Sequence, residues 1–182
     1  MKFIPLPLDG AWLINAPSHH DMRGAYRCTF NRDEFEKHGL IGTFAEAGVA
    51  HNLKRGTVRG LHFQKSPYAQ AKLVRCVQGT ILDVIVDLRP DSLTYLQHHV
   101  IWLQASKPTL LYVPKGFAHG YQTQTDDVVV EYHMSDVHMP AHAFGVRYDD
   151  PVFGIKLPLT VTTILERDAS YPDYQVSHAQ VD

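Results

Sequence analysis

The chain has 182 residues, of which 45% are hydrophobic and 20% charged, with a formal net charge of −2. That length fits a single domain over residues 1–182 and buries a core without staples. The near-neutral balance offers no basic field for nucleic acid or an anionic membrane, so neither is expected as a partner, while a small anionic ligand needs only one or two placed arginines.

In chain order, Met1–Asp9 carries one lysine and no long apolar run. It reads as neither a secretory signal nor a membrane span, and a cytoplasmic location is expected. Cys28 and Cys76 are too few for a disulfide framework and match no zinc spacing. Asp33–His38 predicts a short helix capped by Asn31 or Asp33. From there the pattern is β-type. Ala71–Val77, Ile81–Leu88, His99–Leu103, Thr109–Val113 and Val128–Met134 are rich in Val, Ile, Leu and Tyr. Gly79-Thr80 predicts a turn between the first two, and Arg89–Ser92 and Thr125–Asp127 predict loops. Val161–Arg167 is expected to begin a C-terminal helix, and Val176–Asp182 to be weakly ordered. Many short strands between turns imply an all-β sandwich or barrel.

Polar residues interrupt these apolar runs at three places. His62 lies between Leu61 and Phe63 in Arg59-Gly60-Leu61-His62-Phe63-Gln64. Pro114-Lys115-Gly116-Phe117-Ala118-His119-Gly120-Tyr121 delivers a histidine after a turn. Tyr132 shares a face with Val130 and Met134 in a regular strand. Lys72 and Arg75 sit inside Ala71–Val77. Each has an ordinary structural role when taken alone: a satisfied core histidine, a packing tyrosine, a solvated lysine. Strict alternation puts Arg59 and His62 on opposite faces, so Gly60 is expected to mark a bulge.

Pro114-x-Gly116-x-x-His119 resembles the second motif of the cupin fold, an antiparallel double-sheet barrel or jelly roll with short peripheral helices here. The first cupin metal motif would read His62-Phe63-Gln64, with its second histidine replaced. No bound metal and no other cofactor is therefore expected. Taken together, Asp21-x-Arg23-Gly24, Arg55 to Gln64, Lys72 to Arg75, Gly79, Asp83 to Arg89 with Ser92, Pro114 to Tyr121, Tyr132, Asp149 to Pro151 and Glu166-Arg167-Asp168 resemble the dTDP-4-dehydrorhamnose 3,5-epimerase family, a metal-free branch of the cupins.

The resemblance implies epimerisation at C3, C5 or both of a nucleotide-diphosphate 4-keto-6-deoxy sugar through an enolate. It implies His62 as general base with Asp168, Tyr132 as the donor on the other face, and Lys72 as the group assisting the enolate. It places Arg23, Arg59 and His119 on the diphosphate and sugar, and Gln64, His138 and Arg167 among the substrate contacts. It also implies a homodimer in which each subunit completes the other's pocket. Departures fall where the family holds its base: Cys28, His138, Ala143 and the stretch Glu46–Asn52. The expectation is that the sugar chemistry persists while the nucleotide need not be dTDP, a CDP- or GDP-linked sugar fitting as well. A sugar-nucleotide ketoisomerase and a non-catalytic sugar-binding cupin are the alternatives; an opposite-face donor at Tyr132 favours inversion over the first, and the joint presence of His62, Lys72, Tyr132 and Asp168 argues against the second.

Overall fold

The structure is a computed structural model that describes residues 1–176, so the tail expectation beyond Val176 lies outside the described residues. The strands are β1 (Lys2–Pro5), β2 (Trp12–Asn15), β3 (Ser18–Asp21), β4 (Gly24–Arg27), β5 (Glu46–Asn52), β6 (Val58–Gln64) and β7 (Lys72–Gln78). They continue with β8 (Thr80–Asp87), β9 (His98–Gln104), β10 (Thr109–Val113), β11 (Phe117–Thr123), β12 (Val128–Met134) and β13 (Ala143–Gly145). Two short helices, α1 (Arg32–Lys37) and α2 (Glu166–Ala169), lie outside them.

Two antiparallel sheets face each other, as the cupin resemblance implies. One has the order β1-β2-β10-β7-β12-β5, the other β13-β6-β11-β8-β9. The β3–β4 hairpin forms a separate two-stranded sheet. Gly79, at φ +78°, carries the chain from β7 in the first sheet to β8 in the second, so it is a crossing between sheets rather than a hairpin turn within one.

Period-two alternation fills the barrel from both sides. Val74 and Cys76 from β7, Ile81 and Ile85 from β8, Phe117 and Tyr121 from β11, and Val128 and Val130 from β12 meet in one buried cluster. The outer face of the six-stranded sheet is covered in part by α1, whose Phe35 is fully buried beside Leu73, Leu110 and Tyr112. Asn31 caps that helix by accepting the amide hydrogen of Glu34. The outer face of the five-stranded sheet is covered by the chain after β13, through Val146, Phe153 and Ile155.

Two features of the C-terminal half bear on the site. Val161–Leu165 is not helical: Thr163 makes a parallel bridge to Thr57 and its carbonyl accepts the amide of Val58 at 2.8 Å. The β-branched run Val161–Ile164 favours this extended backbone pairing with the start of β6, and only Glu166–Ala169 turns into helix. On β6 itself, His62 pairs with His119, but Arg59 pairs with Tyr121, so β6 holds one extra residue between them. The bulge falls at Gly60, at φ +101°, where a Cβ would meet the carbonyl oxygen of His119 at 2.7 Å. Only glycine fits both constraints.

Candidate active site

Because of the bulge, Arg59 and His62 reach the same cavity. That cavity measures about 230 Å³ and lies inside the barrel. The five-stranded sheet gives it His62 and Arg59 from β6 and His119 and Tyr121 from β11; the six-stranded sheet gives Lys72 from β7 and Tyr132 from β12. Arg167 and Asp168 from α2 close one end.

His62 Nε2 lies 2.9 Å from Asp168 Oδ1, and the amide of Gly60 donates to Oδ2 at 3.1 Å. Burial favours the neutral acid of Asp168, but the hydrogen bond and charge of His62, the Gly60 amide and Arg167 outweigh it and hold the carboxyl at about 2. An ionised Oδ1 only accepts, so Nε2 carries the hydrogen and Nδ1 keeps the lone pair. Among the described residues Nδ1 has no hydrogen-bond partner. The Nδ1 lone pair is therefore available to accept a proton.

Tyr132 comes from the opposite sheet. Its burial first, and then the neighbouring phenol of Tyr121, push its hydroxyl well above the ordinary phenol range, so it keeps its proton. Lys72 donates from Nζ to the carbonyl of His62 at 3.3 Å. Desolvation lowers its ammonium to about 8, with Asp83 opposing the shift. It remains mostly cationic at neutral pH, in a site where a positive charge acts strongly. Arg59 is anchored by Nε on Asn52 Oδ1 at 2.6 Å and by Nη2 on the carbonyl of His51 at 3.3 Å.

His119 lies beneath, bonded through Nε2 to Asp83 Oδ2 at 3.0 Å. Asp83 is fully buried, its carboxyl raised by that burial against the pull of His119, and its Oδ1 has no hydrogen-bond partner among the described residues. Asp83 was given no role from the sequence. The available signal was a charge set between Leu82 and Val84 in the apolar run Ile81–Leu88, which also holds Asp87 near its end. Asn52, which accepts from both Arg59 and Tyr121, carried no comparable signal.

Three expected substrate contacts lie elsewhere. Gln64 is buried and fully engaged: its Nε2 donates to the carbonyls of Tyr68 and Val137 and its Oε1 accepts from the amide of Met139. It clamps two loops and has no donor left for a substrate in the cavity. His138 is exposed on the loop after β12, with its amide on Glu46. Arg23 is 86% exposed on the β3–β4 hairpin and pairs with Asp21 at 2.6 Å. Neither His138 nor Arg23 lines its own chain's cavity.

Among the described residues no three His, Cys, Asp or Glu side chains converge on a metal position, and no helix is long and apolar enough to cross a membrane. A larger cavity of about 930 Å³ lies beyond β6, where Phe63 and Phe144 point. Two of its cations are engaged, Arg89 with Asp87 and Lys65 over the Phe144 ring, and no histidine lines it.

A family profile described as dTDP-4-dehydrorhamnose 3,5-epimerase matches residues 5–175. A protein of that name from Methanothermobacter thermautotrophicus is 36% identical over 93% of this chain and 92% of its own. The structure of the Bacillus anthracis dTDP-4-dehydrorhamnose 3,5-epimerase with TDP and PPi bound superposes with a TM-score of 0.90 at 37% identity, covering 94% of this chain and 98% of that one. A 3'-monoepimerase from Streptomyces bikiniensis in complex with dTDP-quinovose superposes with a TM-score of 0.85 at 33% identity, covering 92% and 85%.

The Asp168 pairing predicts a pH signature. Its folded-state carboxyl is depressed from an ordinary 3.8 to about 2, so the linked stability is complete above the unfolded value and disappears as pH falls through the folded one. Denaturant titrations between pH 5 and pH 2 should lose up to about 2 kcal/mol from this group, and Asp168→Asn should flatten that part of the curve. An unchanged slope in the variant would remove the pairing from the ledger of stability.

Proposed function

Since the chain belongs to the dTDP-4-dehydrorhamnose 3,5-epimerase family, we propose that its cavity inverts carbons beside the ketone of a nucleotide-diphosphate 4-keto-6-deoxy sugar by a two-sided proton relay. The protein is an isomerase, and its relatives invert C3 and C5 or C3 alone. The observation that carries the residue assignment is the facing of an aspartate-backed imidazole on one sheet by a protonated phenol on the other, within one small cavity.

The chemistry follows from the ketone. Hydrogens on C3 and C5 are acidic only because C4 carries a carbonyl, and removing one makes an enolate. His62 Nδ1 takes the proton, and Asp168 stabilises the imidazolium. The Lys72 ammonium, a donor in a desolvated site, stabilises the negative charge developing on the C4 oxygen. Tyr132 returns a proton from the far side, which inverts the carbon. A phenol with a raised pKa is suited to give its proton only to a strong base such as an enolate carbon; it is reprotonated from solvent, to which His62 releases the proton it took. The substrate carries its own electron sink, so the relay needs neither metal nor redox cofactor. Moving the carbonyl, as a ketoisomerase does, gives no role to a donor on the opposite wall.

Arg23 supports a homodimer. It sits on a hairpin with fully exposed Met22 and exposed Tyr26, away from its own cavity but suited to hold a diphosphate in a partner's. Sedimentation should give one species at twice the 20.6 kDa chain mass, and a stable monomer with full activity contradicts the shared pocket. A cytoplasmic location fits a sugar-nucleotide substrate.

Base recognition is the divergent part. Cys28, exposed His138 and the short side chain of Ala143 stand where the family resemblance expects base contacts. Calorimetric titration should show dTDP bound no better than CDP or GDP; a clear preference for dTDP contradicts this.

Deuterium wash-in tests the relay. In heavy water, C3 or C5 of the keto sugar should exchange and invert with the native protein. His62→Ala should slow exchange by about 10²–10⁴-fold. Tyr132→Phe should still exchange label while yielding little inverted product. Exchange at the native rate in His62→Ala would overturn the assignment of the base.

A further inference from the structure

Proton transfer as described does not require Arg167, yet its guanidinium lies on the dyad. Its side chain is 62% exposed at the cavity end, and its Nε donates to Asp168 Oδ1 at 3.0 Å. That is the oxygen that also receives His62 Nε2 at 2.9 Å. Arg167 Nη2 is 3.3 Å from the same Nε2. A guanidinium only donates, and Nε2 gives its hydrogen to the carboxylate, so these two nitrogens face each other without a hydrogen bond between them. A fixed positive charge thus stands against the ring that must become an imidazolium, and it shares the oxygen that must stabilise it. Both effects oppose proton uptake.

The other groups around the ring do not offset this. Lys72 from β7 is a second cation, bonded to the His62 carbonyl. Arg59, on β6 itself, is held by Asn52 and His51. His119 from β11 is bonded to Asp83 from β8. The phenols of Tyr132 from β12, Tyr121 from β11 and Tyr171 after α2 are raised by burial and carry no charge at neutral pH. Gly145 of β13, which pairs with His62, brings no side chain. Asp168 is the carboxylate in hydrogen-bond contact with the ring.

We propose that Arg167 is a substrate-released brake: it occupies Asp168 in the empty site and turns to the substrate's diphosphate on binding, which frees Oδ1 for His62 alone. This rests on the epimerase reading above. A guanidinium pairs with phosphate oxygens through two parallel hydrogen bonds, a stronger and better matched contact than its single bond to Asp168. The exposed side chain is free to make the turn. The base gains its full strength only in the complex, and Arg167 is a positioning residue that acts through His62 without touching the reacting carbon.

The test compares two pH profiles and one spectrum. In the native enzyme the acidic limb of kcat/KM, which reports the free protein, should lie about half a pH unit or more below the acidic limb of kcat, which reports the complex. In Arg167→Gln the kcat/KM limb should move up toward the kcat limb, with a raised KM from the lost diphosphate contact. Coincident limbs in the native enzyme, or an undiminished gap in the variant, overturn the brake. Independently of turnover, titrating inorganic pyrophosphate into the native protein should shift the Arg167 Nε–H resonance and the His62 ring nitrogen signals together. A shift of the first without the second overturns it. Absence of exchange at C3 and C5 with every keto-sugar nucleotide would refute the epimerase reading, and the pyrophosphate titration would still decide the role of Arg167.

Discussion

The site depends on a bond that spans 106 residues of sequence, from His62 on β6 to Asp168 on α2. Both carboxylate oxygens of Asp168 are spent on the bulged strand, one on the imidazole and one on the Gly60 amide. The bond therefore fixes the tautomer of the imidazole, orients its ring and ties the C-terminal segment over the barrel. The parallel pairing of Thr163 with Thr57 delivers α2 to that place. Without the bulge, alternation would send Arg59 to the opposite face, and the cavity would lose a cation.

The barrel interior reconciles packing with chemistry by dividing its rows of inward-facing residues. Each row is apolar over most of its length and polar at a single level. Lys72 precedes Val74 and Cys76, Asp83 separates Ile81 from Ile85, His119 separates Phe117 from Tyr121, and Tyr132 follows Val128 and Val130. The apolar remainder supplies the burial that holds the fold. The polar level gives its buried carboxyl groups hydrogen-bond partners, as a low-dielectric interior demands: Asp83 on His119 and Asp168 on His62. The low dielectric that lowers the Lys72 ammonium to about 8 also strengthens the action of its remaining charge inside the cavity.

The strands Thr109–Val113 and Val128–Met134 were legible in the sequence to the residue, because both are apolar, β-branched and bounded by turn residues. A short helix capped by Asn31 or Asp33 was legible from the capping residue types, and the structure resolves the choice to Asn31, with the helix over Arg32–Lys37. Lys72, His119 and Tyr132 stood out as polar interruptions of apolar rows, and the expected bulge at Gly60 is present. What stayed hidden depends on distant partners. The short β1 to β4 have little periodicity, the Gly79 link looks like any turn until its two strands are seen in different sheets, and Val161–Leu165 takes its form from β6. Gln64 sits in the central motif but serves two loops, since nothing local reveals the carbonyls of Tyr68 and Val137. Asp168 was reached through the family resemblance; spacing alone does not link it to His62.

The most direct measurement is a crystal structure with a nucleotide-diphosphate 6-deoxysugar reduced at C4, which binds but cannot react. The hexose should lie between the two sheets, with His62 Nδ1 and Tyr132 Oη each within about 3.5 Å of opposite faces of the ring. A hexose seated instead in the larger cavity beside Phe63 and Phe144, or with both groups on one face, would contradict the two-sided relay.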